Sequence, residues 1–96
     1  MYVLITYDVS LVEGNGARRL RRVAKICQDY GQRVQNSVFE CLVTESQYIL
    51  LKDAIAKVID KKEDSVRFYI LGSEKKKKVE TLGKDNYVDL KGELII

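Results

Sequence analysis

The sequence predicts an α+β fold of one domain, and three observations carry that prediction. The chain has 96 residues, of which 46% are hydrophobic and 32% charged, a composition typical of a small globular protein. Segments with alternating apolar residues are interspersed with segments of helical spacing. Their order along the chain is strand, helix, strand, strand, helix, strand. The apolar runs are too short to span a membrane, so we expect a soluble protein.

The first half of this pattern ends near residue 44. Tyr2–Asp8 is rich in β-branched and aromatic residues, and a glycine-containing loop separates this predicted strand from a helix at residues 17–30. Gly31 marks the end of that helix. Residues 34–44 are strand-like, and residues 35–37 form the turn or bulge that divides them into a hairpin.

The second half repeats the alternation. A helix opens at Glu45, and Ser65–Leu71 is the last core strand. This order is typical of a ferredoxin-like βαββαβ sandwich with both helices on one face of an antiparallel sheet. We expect that domain to occupy residues 1–72. Residues 73–96 then form a C-terminal tail, in which the apolar residues 94–96 predict an additional short strand.

Both faces of the predicted sheet are apolar. In the first strand, Val3 and Ile5 point to one face and Leu4 to the other. In the last strand, Phe68 and Tyr69 likewise point to opposite faces. Because two helices cover only one face, the other requires a partner. The simplest partner is a second copy, which predicts a sheet-to-sheet homodimer.

Composition restricts the chemistry. The chain contains no histidine and no tryptophan, which excludes histidine-based triads, histidine general bases and histidine-ligated zinc. A net charge of +3 is too small to indicate nucleic-acid binding by itself. The N-terminus lacks the features of a secretory leader, so we expect a cytoplasmic protein in which Cys27 and Cys41 are free core thiols.

Asp8 ends the first strand just before a loop, and two interpretations fit it. From its position alone it is a turn-capping residue. In the predicted dimer, two Asp8 carboxylates converge and need a proton or cation between them, for which Mg²⁺ or Mn²⁺ is suited. Such an ion activates water and polarises a phosphodiester without histidine. Ser10, Glu13 and Glu40 are weaker candidate partners.

The outward face of the first predicted helix is strongly basic. Its density of positive charge is that of a phosphate-contacting stripe, and a solvated helix face is the alternative. Asp29 is the one acidic residue on this face. The basic residues are Arg18, Arg21, Arg22 and Lys25, with Arg19 flanking them. The lysine run at 75–78 is by default a solvated tail.

Arg33 follows the first helix, and we expect it at the same end of the sheet as Asp8. Phe39 fits a core position better than a base-stacking platform, although an aromatic ring beside Arg33 is suited to stacking on a nucleobase.

Two segments together resemble a known family. They are the opening Tyr2–Asp8 followed by Val9, and residues 31–40, which read Gly-Gln-Arg-Val-Gln-Asn-Ser-Val-Phe-Glu, with the arginine-rich helix between them. Their order and spacing resemble the small CRISPR-associated nuclease-like family that accompanies the spacer-integrating enzyme. The resemblance spans residues 1 to about 72.

This resemblance implies a ferredoxin-like homodimer with a divalent metal between paired Asp8 residues, acting in the acquisition of DNA fragments with the CRISPR integrase. By this resemblance, we expect Asp8 to be the metal ligand. The resemblance also implies backbone contact or activity for Tyr7, Arg18 or Arg19, Arg33 and Phe39. The terminal strand would join the sheet of the partner subunit. Many relatives have a second acidic residue in the loop after the aspartate, where this chain has Ser10 and then Glu13.

Three functions follow as hypotheses. The first is a metal-dependent endonuclease acting on double-stranded DNA, RNA or both. The second is a non-catalytic DNA-binding scaffold of the integration complex, in which Arg18, Arg19 and Arg22 hold a duplex. The third is a regulatory ferredoxin-like domain for a small ligand, for which the glycines at 14–16 are only a weak match.

Overall fold

The computed structural model describes residues 1–9, 15–71 and 77–84. Within them, the chain forms two helices and one five-stranded sheet, confirming the predicted α+β class. The elements are β1 (Tyr2–Asp8), α1 (Gly16–Tyr30), β2 (Gly31–Gln35), β3 (Val38–Leu42), α2 (Glu45–Val58), β4 (Ser65–Leu71) and β5 (Lys77–Gly83). None of the described helices is long and apolar enough to cross a membrane.

The sheet is antiparallel throughout, with the strand order β2-β3-β1-β4-β5. β1 is therefore the central strand, paired with β3 on one side and β4 on the other. At its end, Asp8 lies opposite Ser65, and Thr6 lies opposite both Val38 and Arg67. Hydrogen bonding on both sides makes this end of β1 a rigid place to present a carboxylate.

One face of the sheet forms the core beneath the two helices. Val3 and Ile5 of β1 and Phe39 and Phe68 of the flanking strands are completely buried there. They pack with Leu51 and Ile55 of α2 and with Val23 and Cys27 of α1. Complete burial of a large apolar side chain stabilises the fold by roughly 1.5–3 kcal/mol. Both cysteines are buried and unpaired, as predicted.

The opposite face, which we call the open face, carries the predicted apolar side chains, with Glu40 opposite Leu4 and Arg67 opposite Thr6 among them. Leu42 and Leu71 lie opposite Tyr2 in register, and their exposed fractions are 78% and 38%. Leu4 and Tyr69 are register partners on the same face and are half-buried. The homodimer that this face predicts stays a prediction.

Local signals explain where the elements begin and end. Thr44 caps α2, since its hydroxyl accepts from the Gln47 N–H at 3.1 Å and its own N–H donates to the Gln47 side chain at 2.9 Å. Gly31 follows α1 at once as the first residue of β2, where its backbone is extended. A side chain there would collide with the Glu40 carbonyl and Cys41, so close strand approach explains this glycine.

The hairpin contains both a turn and a bulge. The turn falls at Asn36 and Ser37, and the β2–β3 register shifts between Arg33 and Gln35. The interpretation of residues 35–37 as a turn or bulge is therefore confirmed.

β5 is a strand that the sequence analysis did not locate. It pairs with β4 of the same chain along its whole length, from Ser65 opposite Gly83 to Leu71 opposite Lys77. An acidic residue, Glu80, occupies a position on its helix-facing side, which breaks the apolar alternation that marks strands. The glutamate is satisfied there, because the Tyr48 hydroxyl and the Lys52 ammonium donate to it. The predicted strand at 94–96 lies outside the described residues.

Candidate active site

Asp8 lies at the mouth of a surface cavity of about 370 Å³. The carboxylate is exposed, and by alternation it projects on the open face, as Leu4 and Thr6 do. Two hydroxyl-bearing residues, Ser37 of the β2–β3 turn and Ser65 at the start of β4, line the same cavity. The remaining lining residues are Thr6, Tyr7, Val38 and Arg67.

The cavity around Asp8 offers oxygen atoms of hydroxyl-bearing residues, which Mg²⁺ and Mn²⁺ prefer as ligands, and it is also lined by the cationic Arg67. Of the lining residues, Asp8 alone carries a carboxylate. No group of three or more acidic, cysteine or histidine residues suited to a metal occurs in the described part of the chain. The described residues of one chain therefore offer one carboxylate at this site, a number that fits Mg²⁺ with most of its coordination left to water and substrate.

The weaker candidate partners do not join Asp8 in the described residues. Glu40 lies opposite Leu4 in register, four positions along β1 from Asp8 and so about 13 Å away along the strand. A hydrogen bond with Glu40 raises the pKa of the Tyr2 hydroxyl. Ser10 and Glu13 lie outside the described residues.

Tyr7 is a buried residue that fixes the hairpin turn beside Asp8. Its hydroxyl donates to the Asn36 carbonyl at 3.2 Å, and its backbone N–H donates to the Ser37 carbonyl at 3.1 Å. Burial raises the pKa of the Tyr7 hydroxyl, with Arg33 nearby acting in the opposite direction. Tyr7 thus joins the central strand to the β2–β3 turn, and its ring is 5% exposed.

Phe39 belongs to the core, and its assignment as a nucleic-acid contact is corrected. The side chain has no exposed surface, and its ring stacks on Tyr7 at a centroid distance of 6.1 Å. The Arg33 guanidinium lies 5.2 Å from the Phe39 ring centroid. Phe39 therefore supports Arg33 from below, and no face of its ring is accessible to a nucleobase.

Arg33 itself is exposed, and its register partner Phe39 lies opposite Ile5, so Arg33 is level with the middle of β1 and not with its Asp8 end. It lines a second cavity that shares Tyr7 and Ser37 with the Asp8 cavity.

A third cavity, the basic groove, runs between the start of α1 and the end of α2. Arg18 and Arg22 are exposed there, and the first turn of α1 contains no acidic residue. Lys61 and Lys62, which lie in the turn after α2 and which the sequence analysis did not single out, line the same groove. Their contribution was missed because it depends on the two helices lying side by side.

Arg19 differs from its neighbours on α1. Its guanidinium is bound to the carboxylate of Asp64, with the Nε atom 2.7 Å from Oδ2. This contact raises the pKa of Arg19. Asp64 has no exposed surface and also accepts from the Asp60 N–H at 2.8 Å. Arg19 thus attaches α1 to the start of β4 and lines the groove from a fixed position.

Comparisons with known proteins agree with the resemblance seen in the sequence. The sequence model of a family described as "CRISPR associated protein Cas2" matches residues 1–79. A protein of Nitratidesulfovibrio vulgaris named CRISPR-associated endoribonuclease Cas2 is 52% identical over 96 residues, covering 100% of this chain and 94% of that protein. A protein of Halalkalibacterium halodurans named CRISPR-associated endonuclease Cas2 is 53% identical over 95 residues, covering 99% of each.

Solved structures give the same result. The crystal structure of Streptococcus pyogenes Cas2 at pH 6.5 is similar with a TM-score of 0.71 and 55% identity, covering 77% of this chain and 89% of that chain. Another crystal structure of a Cas2 protein has a TM-score of 0.65 and 30% identity, covering 100% of this chain and 98% of the other. With a matching family model and near full-length relatives, this chain belongs to the CRISPR-associated Cas2 family.

Proposed function

We propose that this chain is a metal-dependent endonuclease of CRISPR adaptation that hydrolyses phosphodiester bonds in double-stranded DNA, RNA or both. It works in the cytoplasm as a homodimer and as a partner of the spacer integrase. The observation that carries the proposal is the position of Asp8, an exposed carboxylate at the end of the central strand, in a cavity lined by hydroxyl-bearing residues and Arg67. The names of the Nitratidesulfovibrio and Halalkalibacterium relatives, endoribonuclease and endonuclease, support the reaction class.

The open face supports the homodimer. An exposed apolar surface that includes Leu42 at 78% and Leu71 at 38% exposure favours association, and pairing with a second copy covers it. Asp8 lies on that same face, at one end of the strand that carries Leu4. A two-fold axis that passes close to the Asp8 end of the two central strands would bring two Asp8 carboxylates together.

Two neighbouring carboxylates repel each other unless a proton or a cation lies between them. Asp8 from each subunit would hold a Mg²⁺ or Mn²⁺ ion, with waters and substrate oxygens as the other ligands. When bound, the ion supplies an activated water and polarises the phosphodiester. Arg18 and Arg22 would bind the nucleic-acid backbone beside this centre, since both are exposed on the groove of α1.

The decisive test compares the protein with Asp8→Ala and Asp8→Asn variants purified in the same way. Each is incubated with duplex DNA and with single-stranded RNA, in Mg²⁺, in Mn²⁺ and in excess chelator. We expect cleavage by the parent protein in metal only, and its loss in both variants. Cleavage at the parent rate by both variants would assign the activity to a contaminant or to another site.

The basic groove supports a second candidate function, a non-catalytic scaffold that holds DNA for the integrase. Arg18, Arg22, Lys61 and Lys62 line it, which places cations from two elements along one surface. This function predicts that reversing the charges of Arg18 and Arg22 abolishes fragment integration, while Asp8→Ala preserves it. Loss of integration in a folded, assembled Asp8→Ala protein would contradict the scaffold.

A further inference from the structure

Arg67 of β4 lies on the open face and lines the same cavity as Asp8. Its register partner on β1 is Thr6, while Asp8 lies opposite Ser65. Arg67 and Asp8 are therefore diagonal neighbours on one face of two paired strands. Such neighbours are roughly 7–8 Å apart at the backbone, a separation that a long side chain such as arginine can span.

The backbone fixes the position of Arg67 relative to Asp8. β4 is paired with β1 on one side and with β5 on the other, where Thr81 is the register partner of Arg67. The residues on either side of it in the chain, Val66 and Phe68, have no exposed surface and are anchored in the core. The base of the Arg67 side chain is therefore held in place next to the Asp8 end of β1.

Asp8 and Arg67 are the two charged residues among those that line this cavity. Glu40 is the other acidic residue on the described strands of the open face, and it belongs to β3, so that β1 separates it from Arg67. The cavity thus places one cation beside one carboxylate, at the point where the proposed function requires a phosphodiester.

The charges of the proposed centre call for such a cation. Two Asp8 carboxylates and one divalent ion cancel, so the phosphodiester of the substrate enters with its own negative charge unbalanced. In the transition state of hydrolysis, negative charge is carried by the phosphoryl oxygens and grows on the leaving oxygen. A guanidinium stabilises this charge, and its planar fork fits two phosphate oxygens at once.

We infer that Arg67 is a further catalytic residue of the proposed reaction, which binds the phosphoryl oxygens of the phosphodiester at Asp8. This inference rests on the proposed function and adds a substrate contact to it. Arg67 is not a metal ligand, because a guanidinium is positively charged and has no acceptor. It repels a metal ion and attracts a phosphate, so its removal changes metal binding and cleavage in opposite directions.

The test compares Arg67→Gln, which removes the charge, with Arg67→Lys, which keeps the charge and loses the fork. The matched control is Lys57→Gln, which removes one charge from α2, where the lysine side chain is 76% exposed. Cleavage of duplex DNA and of single-stranded RNA in Mg²⁺ gives kcat and KM. We expect kcat to fall about a hundredfold in Arg67→Gln and about tenfold in Arg67→Lys, with parent values for the control.

Metal binding and duplex binding are measured on the same proteins without cleavage. Electron paramagnetic resonance of free Mn²⁺, in the absence of nucleic acid, is expected to show about fivefold tighter binding by Arg67→Gln, since a positive charge near the ion is lost. Duplex affinity in chelator should stay within about threefold of the parent value, because the cations of the basic groove remain. A merely structural role of Arg67 would instead weaken Mn²⁺ binding together with cleavage.

Two results would overturn the role of Arg67. One is a parent-like kcat in folded Arg67→Gln, and the other is loss of Mn²⁺ binding in both Arg67 variants. Sedimentation velocity and circular dichroism check that each variant is folded and assembled as the parent is. If Arg67→Gln is not, Arg67→Lys decides, and a parent-like kcat in that variant would equally exclude a bidentate contact with the phosphate.

Failure of this inference and failure of the proposed function give different results. If Asp8→Asn still cleaves as the parent does, the proposed function fails and the role of Arg67 fails with it. If Asp8→Asn loses cleavage while Arg67→Gln retains the parent kcat, the proposed function stands and the role of Arg67 alone fails.

Discussion

The guanidinium of Arg19 and the carboxylate of Asp64 form a two-pronged ion pair that joins α1 to the start of β4. The Nε atom donates to Oδ2 at 2.7 Å and a terminal nitrogen donates to Oδ1 at 3.2 Å. Asp64 is completely buried, and its backbone carbonyl accepts from the Lys84 N–H at 2.7 Å, at the end of β5. One residue thus connects a helix, a loop and two strands next to the candidate site.

We expect Asp64→Ala to lower the free energy of unfolding by about 3 kcal/mol, since it leaves partners of a buried carboxylate unsatisfied. Urea unfolding monitored by circular dichroism measures the change. The control is Asp53→Ala, which removes an exposed carboxylate paired with Lys57 at 3.0 Å and should cost at most about 0.5 kcal/mol. Equal losses of unfolding free energy in the two variants would show that the Asp64 ion pair stabilises the fold no more than an exposed surface ion pair does.

The ionised Glu80 carboxylate is expected to make the stability of the folded protein depend on pH. Its hydrogen bond from Lys52, then those from Tyr48 and Lys78, lower the pKa of its carboxyl from 4.5 to about 2. A carboxyl with a depressed pKa in the folded protein adds stability that is present above pH 4.5 and is lost as the pH falls toward 2. We expect the parent to lose more stability between pH 5 and 2.5 than Glu80→Gln, measured by urea unfolding. Parallel pH profiles for the two proteins would contradict this ionised contact.

The basic groove predicts a reduced dependence of duplex binding on salt when its arginines are removed. Each phosphate contact contributes about 0.9 to the slope of log K against log salt, so Arg18→Gln with Arg22→Gln should lower the slope by about 2. Fluorescence anisotropy with a labelled duplex from low to moderate salt measures it. Lys57→Gln is the control and should leave the slope unchanged. An unchanged slope in the double variant would place the duplex elsewhere.

Because Phe39 is fully buried, we expect its variants to be defective through lost stability and not through a lost contact with nucleic acid. Phe39→Ala removes a fully buried ring beneath Arg33 and should cost about 3–5 kcal/mol. Phe39→Leu keeps most of the volume and should retain single-strand affinity within about threefold at a temperature where it stays folded. A folded Phe39→Leu protein that loses binding by more than about tenfold would return Phe39 to the binding surface.

The open face predicts the oligomeric state. Leu4→Glu places a charge at the middle of that face, and we expect it to convert a dimer into a monomer in sedimentation velocity. Ile49→Glu is the control, because Ile49 is 66% exposed on α2, away from the sheet. A dimer that survives Leu4→Glu but not Ile49→Glu would assign the interface to the helices.

Most of the fold follows from the periodicity of the hydrophobic residues and from the order of the predicted helices and strands. Alternation in Tyr2–Asp8 and Ser65–Leu71 and helical spacing between them were sufficient to predict the first six elements. β5 was not predicted, because it depends on pairing with β4 and on the hydrogen bonds that Glu80 accepts. Neither contact is visible in the local pattern of hydrophobic residues.

The site was predictable only in part. Asp8 was predicted from its position at a strand end, and Arg18 and Arg22 from their place on one helix face, and their functional roles stay predictions. The roles of Arg19 and Phe39 depend on the tertiary contacts with Asp64 and with the core, which no local pattern encodes. The cavity that Arg33 lines likewise combines residues of α1 with a hairpin that the sequence separates from them.

The central claim is that paired Asp8 residues hold one catalytic cation. Titration with Mn²⁺, followed by electron paramagnetic resonance of the free ion, tests it most directly. The account predicts one tightly bound Mn²⁺ for two chains in the parent protein, and loss of this binding in an Asp8→Asn dimer. Parent-like Mn²⁺ binding by Asp8→Asn, or one Mn²⁺ for each chain, would contradict a cation shared between two Asp8 carboxylates.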